Sequence, residues 1–304
     1  MSMIQSPLNY TGGKYKLLPQ LLPLFPSEID GFVDLFCGGC NVGINVNATH
    51  YIYNDCCEPL INLYMTMQNM ETETFIWNIN KIIEKYGLSD VKSHSYDYYK
   101  CNSAEGLSAY NREPYLRLRK EFNEFVKRDE EYYIMLYVLI IYAFNNQIRF
   151  NGRGEFNLPQ GKRDFNQKMY HKLVSFLDIL HSQRAEFIHA DFRKIHIENL
   201  NINDFVYADP PYLITCASYN EQGGWTERDE RDLLGMLDCL TRHNIKFALS
   251  NVLETKGKEN TILREWIASR PQYKMIDLKC SYNNANYHRQ NKEMKTREVL
   301  IINY

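Results

Sequence analysis

Asp209-Pro210-Pro211-Tyr212 is the stretch of this chain whose residue types most constrain its chemistry. Two successive prolines fix φ and remove two backbone donors, which leaves carbonyls to accept. The residue ahead of each proline is held out of the helical region. A carboxylate, a rigid acceptor-lined corner and an aromatic face therefore stand together. Such a corner suits an exocyclic amine. Its two N–H groups could bond the Asp209 carboxylate and the Pro210 carbonyl, with its ring stacked on Tyr212. The bland alternative is a stiff turn that caps a strand.

A second group lies far upstream. Phe32 to Phe36 reads as a short buried strand, and Cys37-Gly38-Gly39-Cys40-Asn41-Val42-Gly43 follows it. A Gly-rich turn after a first strand lets a ligand approach the backbone, because no Cβ stands in the way. The next strand, Tyr51 to Asn54, runs into Asp55, 17 residues after Gly38. An acid there can accept hydrogen bonds from a ribose diol. The pairing points to a nucleoside-bearing cofactor, and NAD, FAD and S-adenosylmethionine all qualify. No third glycine is set for a pyrophosphate turn, and Gly-x-x-x-x-Gly-Lys-Ser/Thr is absent. Dinucleotide and P-loop readings are weaker for that reason. Cys37 and Cys40 have C-x-x-C spacing, which with Cys56 and Cys57 could supply four metal ligands.

Elements must position these groups. Further short strands are predicted at Glu186 to His189, Asp204 to Tyr207, Ile245 to Ser250, Tyr273 to Leu278 and Glu298 to Asn303. Helical stretches separate most of them. The clearest is Glu227 to Thr241, with Thr226 and Asp229 as a capping box. Strands alternating with helices predict a parallel, doubly wound α/β sheet. From Leu60 to about Leu180 the pattern is mostly helical, with one polar interruption at Asn145 to Asp164. That segment reads as an insertion between the second and third strands.

Composition bounds the rest. The 304 residues are 44% hydrophobic and 24% charged, which excludes a disordered chain. The longest apolar run, Tyr132 to Phe144, is 13 residues, short of the ~20 needed to cross a bilayer. Met1 to Leu8 shows no signal-peptide pattern, so the expected location is the cytoplasm. Net charge is -2, so nucleic acid could be held only by local basic patches. The eight cysteines lack regular spacing in a chain with no secretion signal, and are read as thiols.

Taken together, these motifs resemble the Dam-type DNA adenine-N6 methyltransferases (alpha group, D12 class). Cofactor loop, recognition region and catalytic motif come in the family's order across nearly the whole chain. The carriers are Asn9-Tyr10-Thr11-Gly12-Gly13-Lys14, Phe36-Cys37-Gly38-Gly39-Cys40, Asp55, Asp209 to Tyr212, and Arg149 to Gly161, which looks like the family's recognition hairpin. Two departures stand out. Tyr10 replaces a frequent Trp, and Cys40 replaces a usual Gly, which makes the C-x-x-C spacing a coincidence.

The resemblance implies a Rossmann-like class I S-adenosylmethionine-dependent methyltransferase sheet. Residues 1–58 and 166–304 would form it, with 59–165 a mostly helical target-recognition insertion carrying a β-hairpin. It implies S-adenosylmethionine as cofactor, S-adenosylhomocysteine as product, and no metal. Tyr10, Lys14, Phe36, Gly38, Asp55, Asp191, Phe192 and Asp209 map to cofactor binding. Asp209, Pro210, Pro211 and Tyr212 map to catalysis on a flipped-out adenine. Double-stranded DNA is the implied partner. Phe144, Asn145, Asn146, Arg149, Arg153, Pro159 and Lys162 map to its binding, as do Arg289, Lys292 and Lys295. Residues 145–163 carry a net charge of +3 and residues 279–297 a net +4. Asp rather than Ser at 209 favours adenine over cytosine N4, the runner-up target, and an intact tetrapeptide weighs against an inactive DNA-binding subunit. A bacterial or phage-encoded monomer or weak dimer is expected, and a linked restriction endonuclease is compatible with it.

Overall fold

A computed structural model describes residues 3–215, 224–279 and 296–304. The chain divides into two compact units. One comprises Met1–Gly13, Gly38–Ile44 and Cys57–Gln183, the other Lys14–Cys37, Asn45–Cys56 and Arg184–Tyr304.

The second unit holds the sheet. Its strands are β1 (Gly31–Asp34), β2 (His50–Asp55), β3 (Ala185–His189), β4 (Phe205–Ala208), β5 (Lys246–Thr255), β6 (Lys258–Glu259), β7 (Lys274–Leu278) and β8 (Arg297–Ile302). Their order is β3-β2-β1-β4-β5-β8-β7, with the two-residue β6 paired to β5. β1 to β5 run parallel. This matches the doubly wound expectation and is consistent with a class I methyltransferase sheet. β8 departs from it, lying antiparallel between β5 and β7. Its first residues consequently stand at the edge where the parallel strands end. All four residues of β1 and of β4 are buried, as expected of strands covered on both faces. The order reverses between β1 and β4, the place where ligands bind in open α/β sheets.

Helices α1 (Leu18–Leu21), α7 (Glu227–Arg242) and α8 (Thr261–Ala268) belong to this unit, and α2 (Glu58–Asn69), α3 (Thr72–Tyr86), α4 (Ser108–Glu124), α5 (Glu130–Tyr142) and α6 (Gln167–Ser182) to the first. The α7 capping box forms as read from Thr226 and Asp229. The longest apolar run becomes α5, buried from Tyr132 through Tyr142. It is a core helix, and among the described residues no helix is long and apolar enough to cross a membrane.

The helical segment contains a second interruption that periodicity did not reveal, at 87–107. Distant polar groups hold it. Ser89 N–H donates to Asn111 Oδ1 at 2.8 Å, Val91 N–H to Asp164 Oδ2 at 2.8 Å, and Tyr142 OH to the Ser89 carbonyl. The expected hairpin is rudimentary, with bridges only at Phe150–Phe156 and Ala143–Gln160. Helix α4 supplies what the ladder lacks. Tyr115 OH and Arg119 Nη1 both donate to the Leu158 carbonyl, and Asn123 bonds the Phe156 backbone in both directions.

One buried carboxylate ties α7 to its surroundings. Glu230, fully buried, accepts from Asn251 Nδ2 at 3.0 Å, Asn260 Nδ2 at 2.8 Å and Trp225 Nε1 at 2.6 Å. Glu230→Ala strips two buried donors and one partly buried donor of their acceptor and is expected to destabilise the protein by about 3 kcal/mol. Urea unfolding followed by tryptophan fluorescence measures this. A loss below about 1 kcal/mol, the worth of one ordinary hydrogen bond, would show that the network does not hold α7.

Candidate active site

Asp209 follows β4 directly, at the C-terminal edge beside the order reversal. Its carboxylate is engaged on both oxygens. Lys14 Nζ lies 2.8 Å from Oδ2, and Tyr212 OH donates to Oδ1 at 3.0 Å. The Tyr212 hydroxyl also reaches Glu298 Oε1 at 3.2 Å, and Lys14 Nζ stands 3.6 Å from that same oxygen. The ammonium lies 5.0 Å from the centre of the Tyr212 ring. Two carboxylates, one ammonium and one phenol thus stand within contact distance of one another. The Lys14 and Glu298 side chains are only 5% and 1% exposed, so water does little screening between them.

Burial pushes the Asp209 carboxyl above the usual carboxylate range. Lys14 and the Tyr212 hydrogen bond pull it back, while the neighbouring Glu298 charge pushes it up. The Tyr212 phenol is raised well above its ordinary value by burial and by both carboxylates. It stays protonated and donates. Tyr207, one strand residue before Ala208, is raised for the same reasons and bonds Ser250 at 2.8 Å.

Along the same sheet edge the second unit places the other expected groups. Asp55 ends β2 and is 7% exposed. Asn54 ties the ends of β1 and β2 together. Its side-chain N–H donates to the Leu35 carbonyl at 3.0 Å, and its carbonyl accepts from Cys37 N–H at 2.7 Å. The rings of Phe36, Phe192 and Trp225 pack mutually, with centroids 5.4 to 5.6 Å apart. Asp191 follows β3 and caps a short turn by accepting from Arg193 N–H, and its carboxylate also pairs with the Arg193 guanidinium.

The first unit holds Tyr10 and the Gly-rich loop. A Cβ on Gly38 would stand 3.0 Å from the Tyr10 ring, and one on Gly39 would stand 3.1 Å from Tyr10 Cβ. Tyr64 of α2 donates to the Gly38 carbonyl at 2.8 Å. Cys40 is buried at φ 54°, which explains why glycine is usual at this position of the family it resembles. Cys37 is buried as well. Among the described residues no group of three His, Cys, Asp or Glu is placed to hold a metal.

The first unit also carries the residues mapped to DNA. Phe144 is 52% exposed, at the start of a short turn in which Asn145 and Asn146 both take positive φ. Asn9 Nδ2 donates to the Asn145 carbonyl at 2.7 Å, and Pro159 accepts from Phe144 N–H at 2.8 Å. Arg149 is exposed and oriented by Asn157, whose Oδ1 accepts from its Nε at 2.7 Å. Arg153 is at the hairpin tip and Lys162 beyond its second strand, both exposed. Arg289, Lys292 and Lys295 lie outside the described residues.

Residues 10–284 match the model of the D12 class N6 adenine-specific DNA methyltransferases. The chain belongs to this family. It is 41% identical over 309 residues to the type II methyltransferase M.FokI of Planomicrobium okeanokoites, covering 100% of this chain and 43% of that protein. It is 39% identical to the modification methylase StsI of Streptococcus sanguinis, with 99% and 43% covered. The chain therefore spans less than half the length of these two relatives. A DNA adenine methylase of Haemophilus influenzae (strain ATCC 51907 / DSM 11121 / KW20 / Rd) is 27% identical, and there 87% of this chain covers 88% of that protein.

Two residues of the candidate site were not among those expected from the sequence. Glu298 had a signal, being an acid followed by four apolar residues in a strand, where charge is rarely buried without a partner. Trp225 had none, since its place beside Phe36 and Phe192 follows only from the fold. Lys14, mapped to the cofactor, is found on Asp209 and Glu298.

Lys14→Met removes the cation that lowers the Asp209 carboxyl. That carboxyl should then titrate at higher pH than in the wild type, as read by carbon NMR of aspartate-labelled protein. An unchanged or lower titration would remove Lys14 from its electrostatic role.

Proposed function

We propose that this chain transfers a methyl group from S-adenosylmethionine to N6 of an adenine flipped out of duplex DNA at a specific sequence. One observation carries the reading. Asp209, in Asp-Pro-Pro-Tyr, is fixed at the strand-order reversal with an ammonium that favours its charged form. In this reading residues 1–58 and 166–304 are catalytic, and 59–165 recognise the target.

The residues present fit the cofactor. Asp55 can accept from a ribose diol, and the Phe36–Phe192–Trp225 cluster offers apolar faces to a purine. Gly38 and Gly39 close the loop tightly against Tyr10, and Asp191 stands at the end of the adjoining strand. When bound, S-adenosylmethionine supplies an electrophilic methyl on a sulfonium. We place Lys14 with the acceptor corner rather than with the cofactor carboxylate.

Adenine N6 is a poor nucleophile because its lone pair is delocalised into the ring. Accepting its two N–H groups on the Asp209 carboxylate and the Pro210 carbonyl returns density to nitrogen and aims the lone pair. Pro210 and Pro211 bring no backbone donor into the corner. Tyr212 would stack its ring on the extruded base. As the new C–N bond forms, N6 must lose a proton, and the Asp209 carboxylate stands in hydrogen bond to it. Cysteine and metal have no part in these steps. Adenine is preferred to cytosine on the aspartate at 209 and on the family.

DNA reading falls to the first unit. Phe144 is an exposed aromatic that can wedge beside the base pairs. The Arg149 fork, held by Asn157, suits guanine O6 and N7. Arg153, Lys162 and the exposed amide of Asn145 would flank it. The chain acts as a monomer or weak dimer in the bacterial or phage-infected cytoplasm, in a restriction–modification setting like that named for its relatives.

Asp209→Ala should keep the fold and cofactor affinity while methyl transfer to unmethylated DNA falls more than a hundredfold, about 2.7 kcal/mol. Turnover within about tenfold of wild type, 1.4 kcal/mol, would make the assigned role wrong. Arg149→Ala should relax discrimination at one guanine by about 1–3 kcal/mol. Competition binding against single base changes reads this, and equal loss on every sequence would leave Arg149 as a phosphate contact.

A further inference from the structure

Both Asp209 oxygens already have partners, Lys14 on Oδ2 and the Tyr212 hydroxyl on Oδ1. Each oxygen keeps a second lone pair, so a base amine competes with these partners for the carboxylate and bonds it best when at least one of them moves aside. A displaced ammonium that is 5% exposed needs another anion within reach, because an unpaired buried charge is strongly unfavourable. A displaced buried hydroxyl likewise needs another acceptor. Glu298 Oε1 answers both needs, at 3.6 Å from Lys14 Nζ and 3.2 Å from Tyr212 OH. It is fixed there by topology. Glu298 is the second residue of β8, paired with Val252 on β5 and Leu278 on β7. Only because β8 runs against the parallel strands does that residue lie at the edge where Asp209 stands.

We propose that Glu298 is a positioning residue that receives Lys14 and the Tyr212 hydroxyl when the target amine takes their place on Asp209. Glu298 itself does not touch the base. It keeps the group's charges paired before and after the exchange, so Asp209 is freed without stranding an ammonium. The inference rests on the reading of Asp209 as the amine acceptor. It adds the requirement for a second carboxylate, which that reading alone does not contain.

Removing the Glu298 charge has two consequences. Lys14 is left with Asp209 as its anion in this group and competes harder with the amine. Asp209, faced by Lys14, Tyr212, Tyr207 and Glu298, loses an influence that raises its carboxyl. Transfer should therefore slow while the acid limb of its pH profile moves to lower pH. The limb shift reports the nearby charge alone, and the coupling to Lys14 reports the exchange.

The test is single-turnover methylation of unmethylated phage DNA across pH, with cofactor affinity measured separately. Glu298→Gln should lower the saturated rate about tenfold or more with cofactor affinity changed less than about threefold, and should shift the acid limb downward. In a Lys14→Met background the same substitution should cost less than about threefold, because no ammonium then needs a second anion. Glu298→Asp keeps the charge, and should hold the wild-type acid limb and recover part of the rate. Equal loss from Glu298→Gln with and without Lys14 would overturn the proposal. So would an Asp variant whose acid limb moves below that of the wild type, a comparison that stands even if the Gln variant fails to fold. Asp209→Ala is run alongside. If it retains turnover, the amine-acceptor reading fails. If it is inactive and the Lys14–Glu298 coupling is absent, only the present inference fails.

Discussion

A carboxylate that must accept from a weak amine has to be dry enough to bond strongly and yet remain charged. Those demands oppose each other, since burial favours the protonated form. Lys14 reconciles them at 2.8 Å from Asp209. Its cost is occupancy, because the cation that favours the charged form of Asp209 also covers an oxygen that the proposed substrate amine would use. Much of the second unit can be read as serving that compromise. β4 presents Asp209 where the strand order reverses, the proline pair stiffens the backbone after it, and the antiparallel β8 brings a second carboxylate to the same edge.

What could be read in the sequence was local. The tetrapeptide, the Gly-rich loop, Asp55 and the α7 capping box are decided by neighbours in the chain, and each sits in the element expected of it. The strands were found to within a few residues at either end, because buried parallel strands are short continuous apolar runs. Glu298 showed in the sequence only as an acid in an apolar run, and its place in the site depends on Tyr212, 86 residues earlier, and on Lys14 near the start of the sequence. The direction of β8 was equally hidden, since an apolar run looks the same in either orientation. The break at 87–107 escaped because its stabilising acceptors, Asn111 and Asp164, come from elsewhere in the sequence.

The first unit solves a different problem. If it reads DNA as proposed, it must hold exposed side chains in register without burying them. Its hairpin has too few backbone bridges to be stable alone. Helix α4 therefore grips the hairpin backbone through Tyr115, Arg119 and Asn123, and α4 in turn packs against the fully buried α5. The fixed parts are backbone and amides, while the Arg149 fork and the Phe144 ring face solvent. Nearly all the rigidity comes from side chains that would not contact DNA.

Charge placement completes the argument. A chain with net charge -2 has no general attraction for a polyanion, so its association with DNA must depend on where its cations stand. Two populations of basic residues can be distinguished. Lys14 and Arg193 are matched to carboxylates at 2.6 to 3.0 Å, and those charges cancel locally. Arg149, Arg153 and Lys162 stand exposed on the opposite kind of surface, within a stretch of net +3. Counting lysines and arginines merges the two populations and conceals the patch. For the proposed DNA binding the physically useful quantity is the cation left unmatched on the first unit, because that charge would release counterions from the duplex.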